Sequence, residues 1–210
     1  MPRYLTDQDI ADFRAELCKV ATERFARFGY EGVTMRQLAE ALGCSPKTPY
    51  RYFKDKADIL ATVRGQAFAK FADALEAALA DAPADPAGRA RRTGEAYFRF
   101  AMQNPHAYRI MFDIDAPIDD SHPDLGPQAD RAARYITRAA ESLAEAGVID
   151  VDPTMFGYAM WAAAHGLVML QQAGMLDHAP DYRTLANFHG ALMLKGAAPA
   201  KAKTKAGRKR

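Results

Sequence analysis

Residues 34–56 read Thr34-Met35-Arg36-Gln37-Leu38-Ala39-Glu40-Ala41-Leu42-Gly43-Cys44-Ser45-Pro46-Lys47-Thr48-Pro49-Tyr50-Arg51-Tyr52-Phe53-Lys54-Asp55-Lys56. The stretch holds one complete short helix and the start of two more. Thr34 is a candidate N-cap, Gln37 completes a capping box, and Val33 and Leu38 occupy the flanking staple positions. Gly43 stops this helix, and Ser45-Pro46 restarts one, with Ser45 as N-cap and Pro46 as the first helical residue. That helix is expected to end near Phe53, and Asp55 to cap the next. Two short helices hinged at a glycine that tolerates positive φ are a helix-turn-helix candidate.

A plain helical hairpin has the same punctuation, so the surface must decide. The third helix is too short and polar to be a core element alone, and it offers Lys47, Thr48, Tyr50, Arg51 and Tyr52 in sequence, followed by Lys54 and Lys56. Long hydrogen-bonding side chains near a helix N-terminus reach base edges in the major groove. Tyrosine hydroxyls, lysines and helix N-termini on either side hold phosphates and set the register. This chemistry favours a DNA reader over a hairpin.

On the N-terminal side, Ile10, Phe13, Leu17, Val20, Ala21, Phe25 and Phe28 form one apolar stripe at helical spacing, with Gly29 at the C-terminal cap. On the C-terminal side the fourth helix runs to about Ala82 and breaks at Pro83-Ala84-Asp85-Pro86. Helices follow over about 86–103 and from Asn104-Pro105 through Phe112, then a loop rich in Asp and Pro from Asp113 to Gly126. Three more helices are expected over about 127–146, 153–173 and 181–195. The fold class is therefore all-α: an N-terminal helix-turn-helix domain of three helices over 1–57, a larger helical bundle over 58–196, and a disordered basic tail over 197–210.

Composition narrows the partners. Six basic residues fall in the tail, and removing them from a net charge of +2 leaves a body of −4. DNA affinity must then come from a local surface, not from overall charge. The tail reads equally as a solubilising terminus or a non-specific DNA arm. Cys18 and Cys44 stand in no metal or redox spacing, the N-terminus has no apolar stretch of signal length, and no run approaches a membrane span. The expected setting is cytoplasmic, with no cofactor and no metal. Five scattered histidines, no nucleophile motif and no phosphate loop give no basis for an enzyme.

The run from Gly29-Tyr30 and Val33 through Leu60 resembles the signature of the TetR family of transcriptional regulators. That resemblance implies a homodimeric regulator, a repressor by family habit, binding a palindromic double-stranded DNA operator and released by a small-molecule effector. Carried over position by position, it puts Thr34 and Arg36 at phosphate and sometimes base contacts. It puts Lys47, Thr48 and Arg51 at base-facing positions, and Tyr50 and Lys56 at phosphates. Tyr52 falls where it reads a base or touches the backbone, and Ala39, Leu42 and Phe53 fall on the packed face. Pro49 departs from the pattern, which usually has a larger aliphatic residue there. Either the helix tolerates it near the first turn, or Thr48 becomes the N-cap and Pro49 the first helical residue, which leaves Lys47 off the helix.

In the second half, Trp161 with His165-Gly166, and Phe100 through Phe112, resemble the Trp…His-Gly subclass of the same family. Phe68, Phe71, Tyr97, Phe98, Met102, Tyr108, Met111, Phe112, Tyr135, Trp161 and His165 are the pocket candidates. Each also reads as plain core, and His165 more readily as a core or interface histidine. Buried tyrosines and adaptable methionines tilt the set toward a cavity for an apolar or aromatic molecule. Trp161, Ala164, Leu167, Val168 and Gln171 on one helix, with Leu185, Phe188, His189 and Leu192 on the next, are the expected dimer surface, four helices across two copies. The competing reading is a non-specific architectural DNA-binding protein or helical adaptor, which would show little sequence preference.

Overall fold

In the computed structural model, residues 6–80, 82–113, 115–116, 122–178 and 180–200 are described. The described residues contain helices and no strand: α1 (Asp7–Phe28), α2 (Met35–Ala41), a 3-10 turn (Pro49–Arg51), α3 (Lys56–Ala80), α4 (Pro86–Gln103), α5 (Pro105–Met111), α6 (Gly126–Glu145), α7 (Pro153–Gln172) and α8 (Tyr182–Ala197). The chain divides into two compact units, Met1–Asp81 with Glu95–Tyr135, and Ala82–Gly94 with Ile136–Arg210.

In the first unit, α1 packs against α3 and α5, and α2 lies against α1. Leu17, Ala21 and Phe25 of α1, Val33 and Leu38, Phe53, and Ile59, Leu60 and Val63 of α3 form one buried cluster. Of the stripe read in the sequence, Leu17, Ala21 and Phe25 are buried and Phe13 and Val20 half-buried, while Ile10 and Phe28 at its two ends are exposed. Local signals begin and end the helices. Thr6 caps α1 through a box closed by Asp9, and Thr34 caps α2 through one closed by Gln37. At the end of α2, Gly43 takes φ +64°, while the N–H of Cys44 donates to the Ala39 carbonyl at 3.0 Å and that of Gly43 to Glu40 at 3.1 Å. This is a Schellman stop, which needs the left-handed residue that glycine supplies.

The expected α-helix from Pro46 is not formed. Pro46 to Thr48 make a turn, and a single 3-10 turn follows over Pro49–Arg51. Pro49 occupies the position whose N–H would make the first bond of an α-ladder capped at Ser45, and proline has no N–H. The Ser45 carbonyl instead takes the N–H of Thr48 at 2.8 Å, one residue short of helical reach. Thr48 precedes the turn but makes no side-chain cap, so the outcome lies near the shortened-reader alternative, with Lys47 off the helix.

In the second unit, α7 packs against α8, and Ala140, Leu143, Ile149, Phe156 and Ala197 form the core. Ala197, assigned above to the tail, ends α8 and accepts the Asp150 N–H at 2.7 Å. The rest of the expected tail, from 201 onward, and residues 114 and 117–121 of the Asp/Pro loop lie outside the described residues.

Candidate DNA-binding surface

The reading segment is fixed from behind and bare in front. Pro49 and Phe53 are buried, while Lys47, Tyr50, Arg51 and Lys54 are exposed, Tyr50 at 57%. Arg14 of α1 donates to the Tyr52 carbonyl at the end of the 3-10 turn, and its guanidinium lies 4.1 Å from the centre of the Phe53 ring. Phe13 meets the Tyr52 ring at 4.5 Å. Tyr52 therefore turns its ring inward, and packing accounts for it better than contact with DNA. Thr48 is half-buried between the two sides. Arg14 escaped the sequence reading because its partner is 38 positions away, and no local spacing reports such a pair.

The flanking residues frame this surface. Thr34 and Arg36 are exposed at the start of α2, and Arg36 is paired with Glu40 of the next turn at 2.9 Å. An exposed pair of this kind contributes little to stability and releases its arginine readily to a phosphate. Lys56 is half-buried. Its Nζ donates to the Tyr30 carbonyl at 2.7 Å and sits 3.9 Å from the Tyr30 ring, which ties the start of α3 to the end of α1.

A strap between α5 and α6 also reaches the start of α3. His122 Nε2 lies 3.1 Å from Asp58 Oδ1, and Asp58 Oδ2 accepts the Lys54 N–H at 2.7 Å. Burial pushes the Asp58 carboxyl up, but the Lys54 N–H and His122 outweigh it and hold the group below its ordinary value. A carboxyl with a depressed folded value stabilises at neutral pH and loses that contribution as pH falls through its folded value.

The pocket candidates fall in both units. Nine of them, from Phe68 to Tyr135, belong to the first unit, while Trp161 and His165 belong to the second. Phe71, Tyr97, Tyr108 and Met111 are buried in a packed aromatic cluster, with Phe71 and Tyr97 rings at 5.2 Å and Tyr108 and Phe112 at 5.0 Å. The Tyr97 and Tyr108 hydroxyls meet at 2.7 Å, so the polar tips that suggested a ligand are used on each other. Burial and the Glu76 carboxylate raise the Tyr135 phenol, and burial lowers His165.

Of the dimer candidates, Val168 is fully buried within the chain, so it does not face a partner. Phe188 and Leu192 are 65% and 53% exposed, and Trp161, Ala164, Leu167, Gln171, Leu185 and His189 are half-buried. Met155, Tyr158 and Met169 of α7 are also exposed and were missed. Their i, i+3, i+14 spacing was readable, but α7 is apolar on every side, and such a helix does not declare which face is inside.

Residues 17–63 match the family described as bacterial regulatory proteins of the tetR family, and residues 90–193 match the tetracyclin repressor-like C-terminal domain. No curated protein matches the chain. A TetR family transcriptional regulator, PfmR from Thermus thermophilus, is 25% identical, with 85% of this chain and 97% of that one covered and a TM-score of 0.70. A protein of unknown function from Rhodococcus sp. RHA1 shares the fold at 22% identity, with 95% and 100% covered and a TM-score of 0.76. A tetR-family regulatory protein from Rhodococcus RHA1 does so at 22%, with 90% and 98% covered and a TM-score of 0.72. With a helix-turn-helix at one end and a helical regulatory domain beyond it, the chain belongs to the TetR family of bacterial transcriptional regulators.

Proposed function

We propose that the chain is a cytoplasmic repressor that binds a palindromic operator as a homodimer and is released by a small molecule bound in the part beyond residue 58. The observation that carries this reading is the reading segment itself, with Lys47, Tyr50 and Arg51 bare to solvent on a turn clamped by Arg14 and Phe53. A turn only one 3-10 repeat long offers few base contacts. Arg51 is the residue suited to a guanine edge, with Lys47 beside it off the helix. Thr34, Arg36 and Tyr50 are assigned to phosphates, Lys56 to the charge at the foot of α3, and Thr48 to the rim of the groove. No metal or cofactor enters the proposal, and among the described residues no helix is long and apolar enough to cross a membrane.

Selection of bound duplexes from a random pool tests the reading. One inverted-repeat motif is expected to emerge, preferred over unrelated sequence by a thousand-fold or more, in order of magnitude. Recovery of unrelated sequences at similar affinity would favour the architectural reading instead.

Dimerisation is assigned to the exposed apolar face of α7 and α8. Phe188→Asp places a charge where two such faces would meet, and a charge left unpaired in an interface costs several kcal/mol. Sedimentation at micromolar concentration is expected to show a dimer for the parent protein and a monomer for the variant. A variant that stays dimeric would move the interface elsewhere.

A further inference from the structure

Outside the aromatic cluster, α3 and α4 leave an open cleft of about 230 Å³ within the first unit. It is lined by Lys70 and Ala74 of α3 and by Ala96, Arg99, Phe100, Gln103 and Asn104 of α4 and the residue after it. The lining has two cations and no acid. Lys70 and Arg99 make neither an ion pair nor a hydrogen bond among the described residues. The acids one and two turns beyond Lys70 do not serve them either, because Asp73 and Glu76 are both engaged by Arg131 of α6. The two positive charges stand over an apolar wall of Ala74, Ala96 and Phe100. Ala96 and Phe100 are almost fully buried, and the Phe100 ring is braced against Phe71 at 5.1 Å.

Two like charges facing one depression repel each other, and an anion placed there turns that cost into attraction. A guanidinium takes a carboxylate through two parallel hydrogen bonds, and an ammonium adds a third donor from the other side. The Gln103 amide is a further donor on the same wall. The apolar side adds a smaller gain for a ligand with a short hydrophobic body, since Ala96 and Phe100 leave little surface uncovered beside the half-buried Ala74. The volume corresponds to roughly eight water-sized groups at ~30 Å³ each, below the range of ~300–1,000 Å³ common for drug-sized ligands.

We propose that this cleft is a binding site for a small amphipathic carboxylate, its acid group held by Lys70 and Arg99 and its aryl or short acyl body laid against Ala74, Ala96 and Phe100. None of its lining residues is among the eleven pocket candidates read from the sequence. Its role as the effector site rests on the regulatory reading above, but the binding itself is tested without DNA, so failure of one is distinguishable from failure of the other.

Calorimetric titration of the full chain with benzoate, phenylacetate, hexanoate, the neutral isostere benzamide and inorganic phosphate makes the test. At least one of the three carboxylates is expected to bind saturably, with benzamide and phosphate weaker by about tenfold or more, since hydrogen bonds to charged groups are the strong ones. The Lys70→Gln/Arg99→Gln variant is expected to lose at least tenfold in affinity at unchanged melting temperature, because both side chains are exposed. Lys70→Arg in the otherwise unaltered chain should keep most of it. The proposal is overturned if none of the three carboxylates binds in the millimolar range. It is equally overturned if benzamide or phosphate binds as tightly as the carboxylate, or if the double variant keeps its affinity.

Discussion

Truncating Phe53 to alanine is expected to lower stability by about 3–5 kcal/mol, the usual cost of emptying a buried phenylalanine site. Phe53 is 3% exposed, packs with α1 and α3, and carries the Arg14 guanidinium over its ring. Its loss removes the wall behind the reading turn, and Arg14, which holds the Tyr52 carbonyl, loses its seat as well. Thermal unfolding should show a fall on the order of 10 °C for a chain of this length. DNA affinity should fall with it, although Phe53 itself is hidden from DNA. A loss below about 1 kcal/mol would mean that the turn is supported in some other way.

Gly65→Ala is expected to act against the usual rule. In an exposed helix interior alanine is better than glycine by about 0.8–1 kcal/mol. At Gly65 an added Cβ would stand 2.0 Å from the Asp124 carbonyl oxygen and 2.5 Å from its carbon. Both are backbone atoms of the strap between α5 and α6, so no side chain can turn aside. The strap must lift, taking with it the contact of His122 with Asp58 and straining the buried Leu125. Overpacking of this kind costs about 1–3 kcal/mol. Gly94→Ala on α4, where an added Cβ meets nothing within 4 Å, is the matched control and should stabilise slightly. Melting temperatures that move in opposite directions support the close approach. A rise in both would show that the strap yields without cost.

How much of this was readable in advance follows the distance over which each feature acts. The capping box of Thr34 and Gln37 and the stop at Gly43 are complete within a few residues, so the sequence displays them in full. The same locality made the effect of Pro49 visible as an alternative, because a missing N–H acts on the Ser45 carbonyl four positions back. Arg14 with Tyr52, and His122 with Asp58, join residues 38 and 64 positions apart, and nothing near either partner points to the other. The aromatic residues fell short for another reason. Phe71, Tyr97 and Tyr108 have the same spacing and chemistry whether they line a cavity or pack together, and the 2.7 Å contact of the two hydroxyls is visible only in the structure. Lys70 and Arg99 carry no motif. They line one cleft because of where α3 and α4 lie in space, and a single sequence does not encode that placement in any local pattern.

The decisive measurement is the affinity of Arg51→Ala for the selected operator and for an unrelated duplex, at one salt concentration, since phosphate contacts make both affinities salt-dependent. With Arg51 reading a base edge, the operator is expected to lose about 1–3 kcal/mol, roughly 5- to 150-fold, and the unrelated duplex far less, at an unchanged melting temperature. Equal losses on both duplexes would reduce Arg51 to a phosphate contact. An operator affinity untouched by the substitution would contradict DNA reading by the turn after Gly43.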